Sequence, residues 1–142
     1  MLNTILFDLD GTLAPFQQDE FVRVYFGLLV RRLVPMGYDG EKLVRALWKG
    51  VDAMIGNSGA VTNRQVFWEC FTQEMGMQAL ALETILDDFY ATDFDGARSC
   101  LTARTDRSGL IRSLRRRGYG VVLATNPIFP AVAIETRLGW VG

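Results

Sequence analysis

Apolar and polar positions change period twice along this chain. Thr4-Ile5-Leu6-Phe7 is a short run of strand formers that ends abruptly in Asp8-Leu9-Asp10-Gly11-Thr12. A continuous apolar run of this length predicts a strand buried in a parallel sheet, and the Asp-Gly step after it signals a turn. From about residue 17 to 95 the period becomes helical. Phe21, Val22, Tyr25, Leu28, Leu29 and Leu33 share one face until Pro35 and Gly37 stop the segment. Asp39 is the expected N-cap of a second helix whose apolar face runs Leu43, Val44, Leu47, Trp48, Val51, Met54, Ile55. Gly56-Asn57-Ser58-Gly59 breaks it, and Thr62 with Gln65 three positions on predicts a capping box ahead of Val66, Phe67, Cys70 and Phe71. Leu82, Ile85, Leu86, Phe89 and Tyr90 mark a fourth helix. Four amphipathic helices on short loops predict a small bundle.

The last third returns to alternating α and β character. Leu110, Ile111 and Leu114 mark a helix that Gly118 terminates, and Tyr119 to Ala124 reads as a second buried strand ending in the polar turn Thr125-Asn126-Pro127. Strand, helical insertion, helix and strand in this order favour two parallel strands joined by a right-handed crossover.

Composition narrows the chemistry. The chain has 142 residues, 49% hydrophobic and 22% charged, which suits one domain with a modest insertion and not a disordered segment. Fifteen Lys and Arg against 16 Asp and Glu leave a net charge of −1, which argues against bulk electrostatic binding to nucleic acid or an anionic membrane. Histidine is absent. That excludes a Ser-His-Asp triad, a Cys-His pair and a His-ligated zinc, and leaves acid–base work to carboxylates, Lys, Tyr, Cys or water. Cys70 and Cys100 match no metal spacing and read as small thiols in a reducing compartment. Arg23 is the first cationic side chain, Asp8 and Asp10 interrupt the N-terminal apolar stretch, and no run is long enough for a membrane span. A cytoplasmic protein is the expectation.

Asp8 and Asp10 stand two residues apart at the carboxyl end of a predicted strand, where open α/β sheets hold ligands. If the strand geometry persists, both point to one face. Two crowded carboxylates suit Mg²⁺, which prefers oxygen ligands, and they suit a division between nucleophile and proton carrier. Gly11 allows close backbone approach to a ligand. A solvated turn is the plainer reading of these residues alone. Thr125 and Asn126 supply a hydroxyl and amides at the end of the second strand, the kind of donors that a phosphoryl group's oxygens need.

Phe7-Asp8-Leu9-Asp10-Gly11-Thr12-Leu13 resembles motif I of the haloacid dehalogenase-like hydrolase superfamily, and Gly118-Tyr119 through Leu123-Ala124-Thr125-Asn126-Pro127 resembles its motif II. Phe129-Pro130 with Ala133 and Arg137-Leu138-Gly139-Trp140 is similar to the segment that follows motif II in some members. The resemblance implies an α/β fold: an incomplete Rossmann-like parallel-sheet core of residues 1–15 and 96–142, with a C1-type helical cap of residues 16–95. It implies Mg²⁺-dependent hydrolysis of a phosphoester on a small phosphorylated metabolite. Asp8 would be the nucleophile that becomes an aspartyl phosphate, and Asp10 the acid and then base. Mg²⁺ would sit on Asp8 and Asp10, the latter through its backbone carbonyl. The phosphate would rest on Gly11, Thr12, Thr125 and Asn126. An Asp at position 10 points to a phosphatase and not a dehalogenase, because an alkoxide leaving group needs a proton and a halide does not.

The same family carries a later Lys or Arg and one or two acidic metal ligands. Read for these, the segment after Thr125 offers neither a lysine nor a paired acid: Lys42 and Lys49 lie in the helical stretch, and Glu135 is the single acid. Asp87-Asp88 and Arg115-Arg116-Arg117 read as solvated helix surface. The expectation is therefore a chain that lacks half of the constellation, a truncated or partial product with little activity alone, whose uncovered sheet edge could drive self-association. A catalytically inactive binding or interaction module of the same descent is the competing expectation.

Overall fold

The computed structural model describes residues 2–103, 106–126 and 128–142; Met1, Arg104, Thr105 and Pro127 of the expected core and motif II lie outside them. Strand β1 (Thr4–Phe7) leads into helix α1 (Gln18–Leu33), α2 (Gly40–Ile55), α3 (Asn63–Met75) and α4 (Leu82–Ala91), with 3₁₀ segments at Val34–Met36, Met77–Ala81 and Asp93–Cys100. Helix α5 (Ser108–Arg116), strand β2 (Gly120–Leu123) and helix α6 (Ala131–Gly139) complete the chain.

Local chemistry sets the helix ends. The Asp39 carboxylate accepts from the Lys42 amide at 2.7 Å and opens α2. At α3 the Thr62 hydroxyl accepts from the Gln65 amide at 3.3 Å, and the Thr62 amide donates to Gln65 Oε1 at 2.9 Å. Both orphan donors of that helix start are satisfied by one reciprocal pair. Thr62→Ala should therefore cost about 1 kcal/mol of unfolding free energy in a urea titration. Gly118 takes φ +86° beyond α5, where its amide donates to the Arg115 carbonyl at 3.0 Å. Helices α2 and α3 approach closely because Gly50 has no side chain; a Cβ there would stand 2.5 Å from Phe67 Cδ2.

The two strands pair in parallel, Thr4 with Gly120 through Phe7 with Leu123, and the Ala124 amide prolongs the ladder by donating to the Phe7 carbonyl at 2.7 Å. The expected Rossmann-like sheet core, however, is not what forms. Among the described residues the sheet holds two strands of four residues each, and the chain is mostly helical. The reason is local. A continuous apolar run predicts a strand covered on both faces, but a two-stranded ribbon consists of edges. Ile5, Phe7, Val121 and Leu123 are half-buried, while Leu6 and Val122 face solvent at 63% and 47% exposure. The helical bundle expected between the motifs is present.

Apolar burial is concentrated in the helices, and a single cluster joins both regions. Phe21, Tyr25, Leu29, Phe89 and Phe94 of the helical stretch are continuous with Leu9, Leu13, Ala14, Ala133 and Trp140. The Trp140 ring stacks on Phe94 at 5.7 Å, and its indole N–H donates to Asp95 at 2.8 Å. The 3₁₀ segment Asp93–Cys100 runs across position 95, where the cap was expected to end. Among the described residues no helix is long and apolar enough to cross a membrane. Trp48 and Ile55, expected on the apolar face of α2, are largely exposed. Asp88 and Asp93 pair with Arg32, and Asp87 with Arg64, on the surface of the bundle.

Candidate active site

Parallel pairing brings the two polar turns to one end of the ribbon. Asp8 follows Phe7 beyond β1, and Thr125 follows Ala124 beyond β2. The chain then turns tightly at Gly11, whose φ of +77° suits glycine and whose amide donates to the Ala14 carbonyl at 2.9 Å. Leu9 is fully buried and anchors this turn in the core, with Leu13, Ala14 and Phe16 beyond it. The Asp8 carboxylate lies open to solvent and accepts from the Thr12 hydroxyl at 3.2 Å. Thr125 is half-buried and Asn126 exposed, its carbonyl accepting from the Ile128 amide at 2.9 Å.

Asp10 points differently. Its two carboxylate oxygens accept from Nη1 of Arg137, Oδ1 at 2.6 Å. Arg137 is completely buried in α6: its Nε donates to the Ala133 carbonyl at 3.1 Å, and its guanidinium lies over the Phe129 ring at 4.3 Å and the Phe21 ring at 5.6 Å. Its Nη2 has no acceptor among the described residues. Burial raises the pKa of Asp10 above the ordinary carboxylate value; the Arg137 charge pulls it back, and Asp8 adds a smaller upward push. Burial likewise lowers the pKa of Arg137 against the pull of Asp10. Both shifts say the same thing: for each partner, loss of hydration outweighs the attraction of the other.

Arg137 is the residue that the sequence reading passed over. It is neither a lysine nor an acid, and it stands behind Thr125 as a single cation on a short helix. Yet Ala133 and Arg137 of α6, with Trp140 just beyond its end, form one buried stripe, and a charged residue on an apolar helical stripe signals a buried partner. Of the expected site residues, Asp8, Asp10, Gly11, Thr12, Thr125 and Asn126 share one end of the ribbon, with Asp8 solvent-facing and Asp10 turned to α6.

A second polar pair lies behind Arg137. The hydroxyls of Tyr25 and Tyr90 bond to one another. Burial pushes the Tyr90 hydroxyl up to about 12, and Tyr25 well above its usual value. The unfolded chain loses these protons near pH 10 while the fold resists, so this contribution to stability is complete below pH 10 and is lost as pH rises through about 12. Tyr90→Phe should weaken the alkaline loss of stability followed by circular dichroism, with the buried Tyr25 hydroxyl supplying what is left of it.

Among the described residues no three His, Cys, Asp or Glu side chains gather as a metal site. The Asp8 carboxylate is open to solvent and no backbone hydrogen bond of the turn uses the Asp10 carbonyl, so the two groups that the resemblance implies as metal ligands are both free of competing bonds within the turn. That set fits Mg²⁺ completed by water and substrate phosphate, and not a cage of protein oxygens. No protein-family model, no curated protein and no solved structure matches this chain, so the family resemblance rests on its motif residues alone.

Proposed function

We propose that the chain acts on phosphoryl groups at Asp8, as a Mg²⁺-assisted phosphoester hydrolase of the haloacid dehalogenase type working through an aspartyl phosphate. The observation that carries this reading is the solvent-open Asp8 carboxylate at the shared carboxyl end of two parallel strands, with Thr125 at the end of the other strand. An Asp8 oxygen attacks phosphorus while the ester oxygen departs with a proton from Asp10. Asp10 then takes a proton from water as that water attacks the phosphoryl group and frees Asp8. Thr12, Thr125, Asn126 and the Gly11 turn supply donors for the phosphoryl oxygens. Mg²⁺ held by Asp8 and the Asp10 carbonyl would offset phosphate charge. The substrate is a small phosphorylated molecule. The test is Mg²⁺-dependent formation of an acid-stable phosphoryl adduct on the chain, lost in Asp8→Asn.

One observation favours a second reading. Arg137 occupies both oxygens of Asp10, and a carboxylate so engaged is a poor proton donor. In that case the chain is a binding module that keeps the motif without turnover, and it forms no adduct.

A further inference from the structure

Between the helical bundle and the segment after motif II lies a cavity of about 320 Å³, walled by α1, α2, α3, α4 and residues 128–131. Its interior is aromatic and aliphatic: Tyr25, Phe67, Trp68, Tyr90 and Phe129 contribute rings, with Met54 among the aliphatic walls. Such a volume, largely apolar with few polar groups, is that of a small-molecule site.

We propose that this cavity binds the ring system of a small uncharged aromatic molecule carrying one polar substituent. Three observations fix that class. First, the two charged side chains on the lining, Arg64 and Asp87, pair with each other at 3.5 Å, and Arg64 pairs further with Glu83 outside the cavity at 2.7 Å, so both lining charges are already engaged and neither is left to recognise an ionic ligand. Second, the lining rings offer faces and edges at which an aromatic guest stacks better than a flexible chain does; Phe67 already meets Trp68 edge-on at 5.6 Å. Third, Tyr25 and Tyr90 have two hydroxyl protons and spend one on their mutual bond, which leaves one donor at the wall for a single polar atom of the guest.

Phe129 lines the cavity and also carries the Arg137 guanidinium that holds Asp10. Ring binding does not need the phosphoester reading, because none of Asp8, Asp10, Thr12, Thr125 and Asn126 lines the cavity and the binding is measured with a ligand that has no phosphate.

The probe is 2-naphthol, titrated calorimetrically into the intact chain, with decanoate as a chain-shaped comparison. The expected result is saturable binding of one 2-naphthol per chain. Ala131→Trp, at an exposed lining position, and Val51→Trp, at a half-buried lining position on α2, should each weaken it at least about tenfold while the thermal midpoint holds. Ala131 is solvent-facing, so its variant folds even if the Val51 variant does not. Absence of saturable binding to the unaltered chain overturns the proposal. So does unchanged affinity in folded Ala131→Trp, or preference for decanoate over 2-naphthol.

Discussion

Asp10→Asn is expected to destabilise the fold by about 3–5 kcal/mol, because it strips a buried guanidinium of its counter-charge. Arg137 has no exposed side-chain surface, whereas Asp10 retains 28%. The asymmetry decides the order of effects: an orphaned Arg137 cannot reach water, while an orphaned Asp10 can hydrate in part. Arg137→Met should accordingly cost less than Asp10→Asn. The double variant Asp10→Asn/Arg137→Met should come back to within about 1 kcal/mol of the starting protein or exceed it, since an apolar replacement of a buried pair is often neutral or stabilising. Methionine suits the site, where the side chain lies against Phe21 and Phe129. A domain has about 5–15 kcal/mol in total, so the single change is a large fraction and is measurable by urea titration of all four proteins. A near-neutral Asp10→Asn would refute the argument. The pKa directions agree with it: each partner is shifted against its charged form, so the pair costs the fold free energy.

Features governed by neighbours in sequence were legible. Asp39 and Thr62-x-x-Gln65 cap their helices because a hydroxyl or carboxylate meets amides three positions on, whatever the tertiary structure. Gly118 ends α5 because a left-handed residue is needed there. The common end of the two strands was legible as well, since parallel pairing follows from the helical connection between them. What failed depended on partners distant in the chain. The apolar run at Ile5-Leu6-Phe7 does not say how many strands will flank it, and with only one flanking strand Leu6 stays exposed. Arg137 meets Asp10 across most of the chain; its only local sign was a charge between Ala133 and Trp140 on the buried stripe. The cavity arises from five segments and leaves no mark in any one of them.

Asp8→Asn is expected to abolish covalent phosphorylation of the chain entirely. Hydrolysis of a phosphate monoester demands roughly 20 kcal/mol of barrier lowering, and each preorganised electrostatic group that is lost costs about 10²–10³ in rate. Here the described residues gather no third metal-holding carboxylate, and the Arg137 charge is committed to Asp10. Turnover of phenyl phosphate with Mg²⁺ should therefore be slow, little above the uncatalysed rate. Slow turnover alone tests little, so the decisive readout is the adduct. In the proposed mechanism an acylphosphate on Asp8 would survive an acid quench and accumulate where the second step, with Asp10 as its base, is hindered by Arg137. The expected result is label from a phosphoryl donor retained on the chain after acid quench, dependent on Mg²⁺ and absent from Asp8→Asn. Asparagine keeps the shape and the hydrogen bond from Thr12 while removing the anionic nucleophile. Label that persists in Asp8→Asn would locate the chemistry elsewhere. No label in either protein would overturn the hydrolase reading and leave the binding module, whose Asp10–Arg137 pair then serves only to fix α6 against the motif I turn.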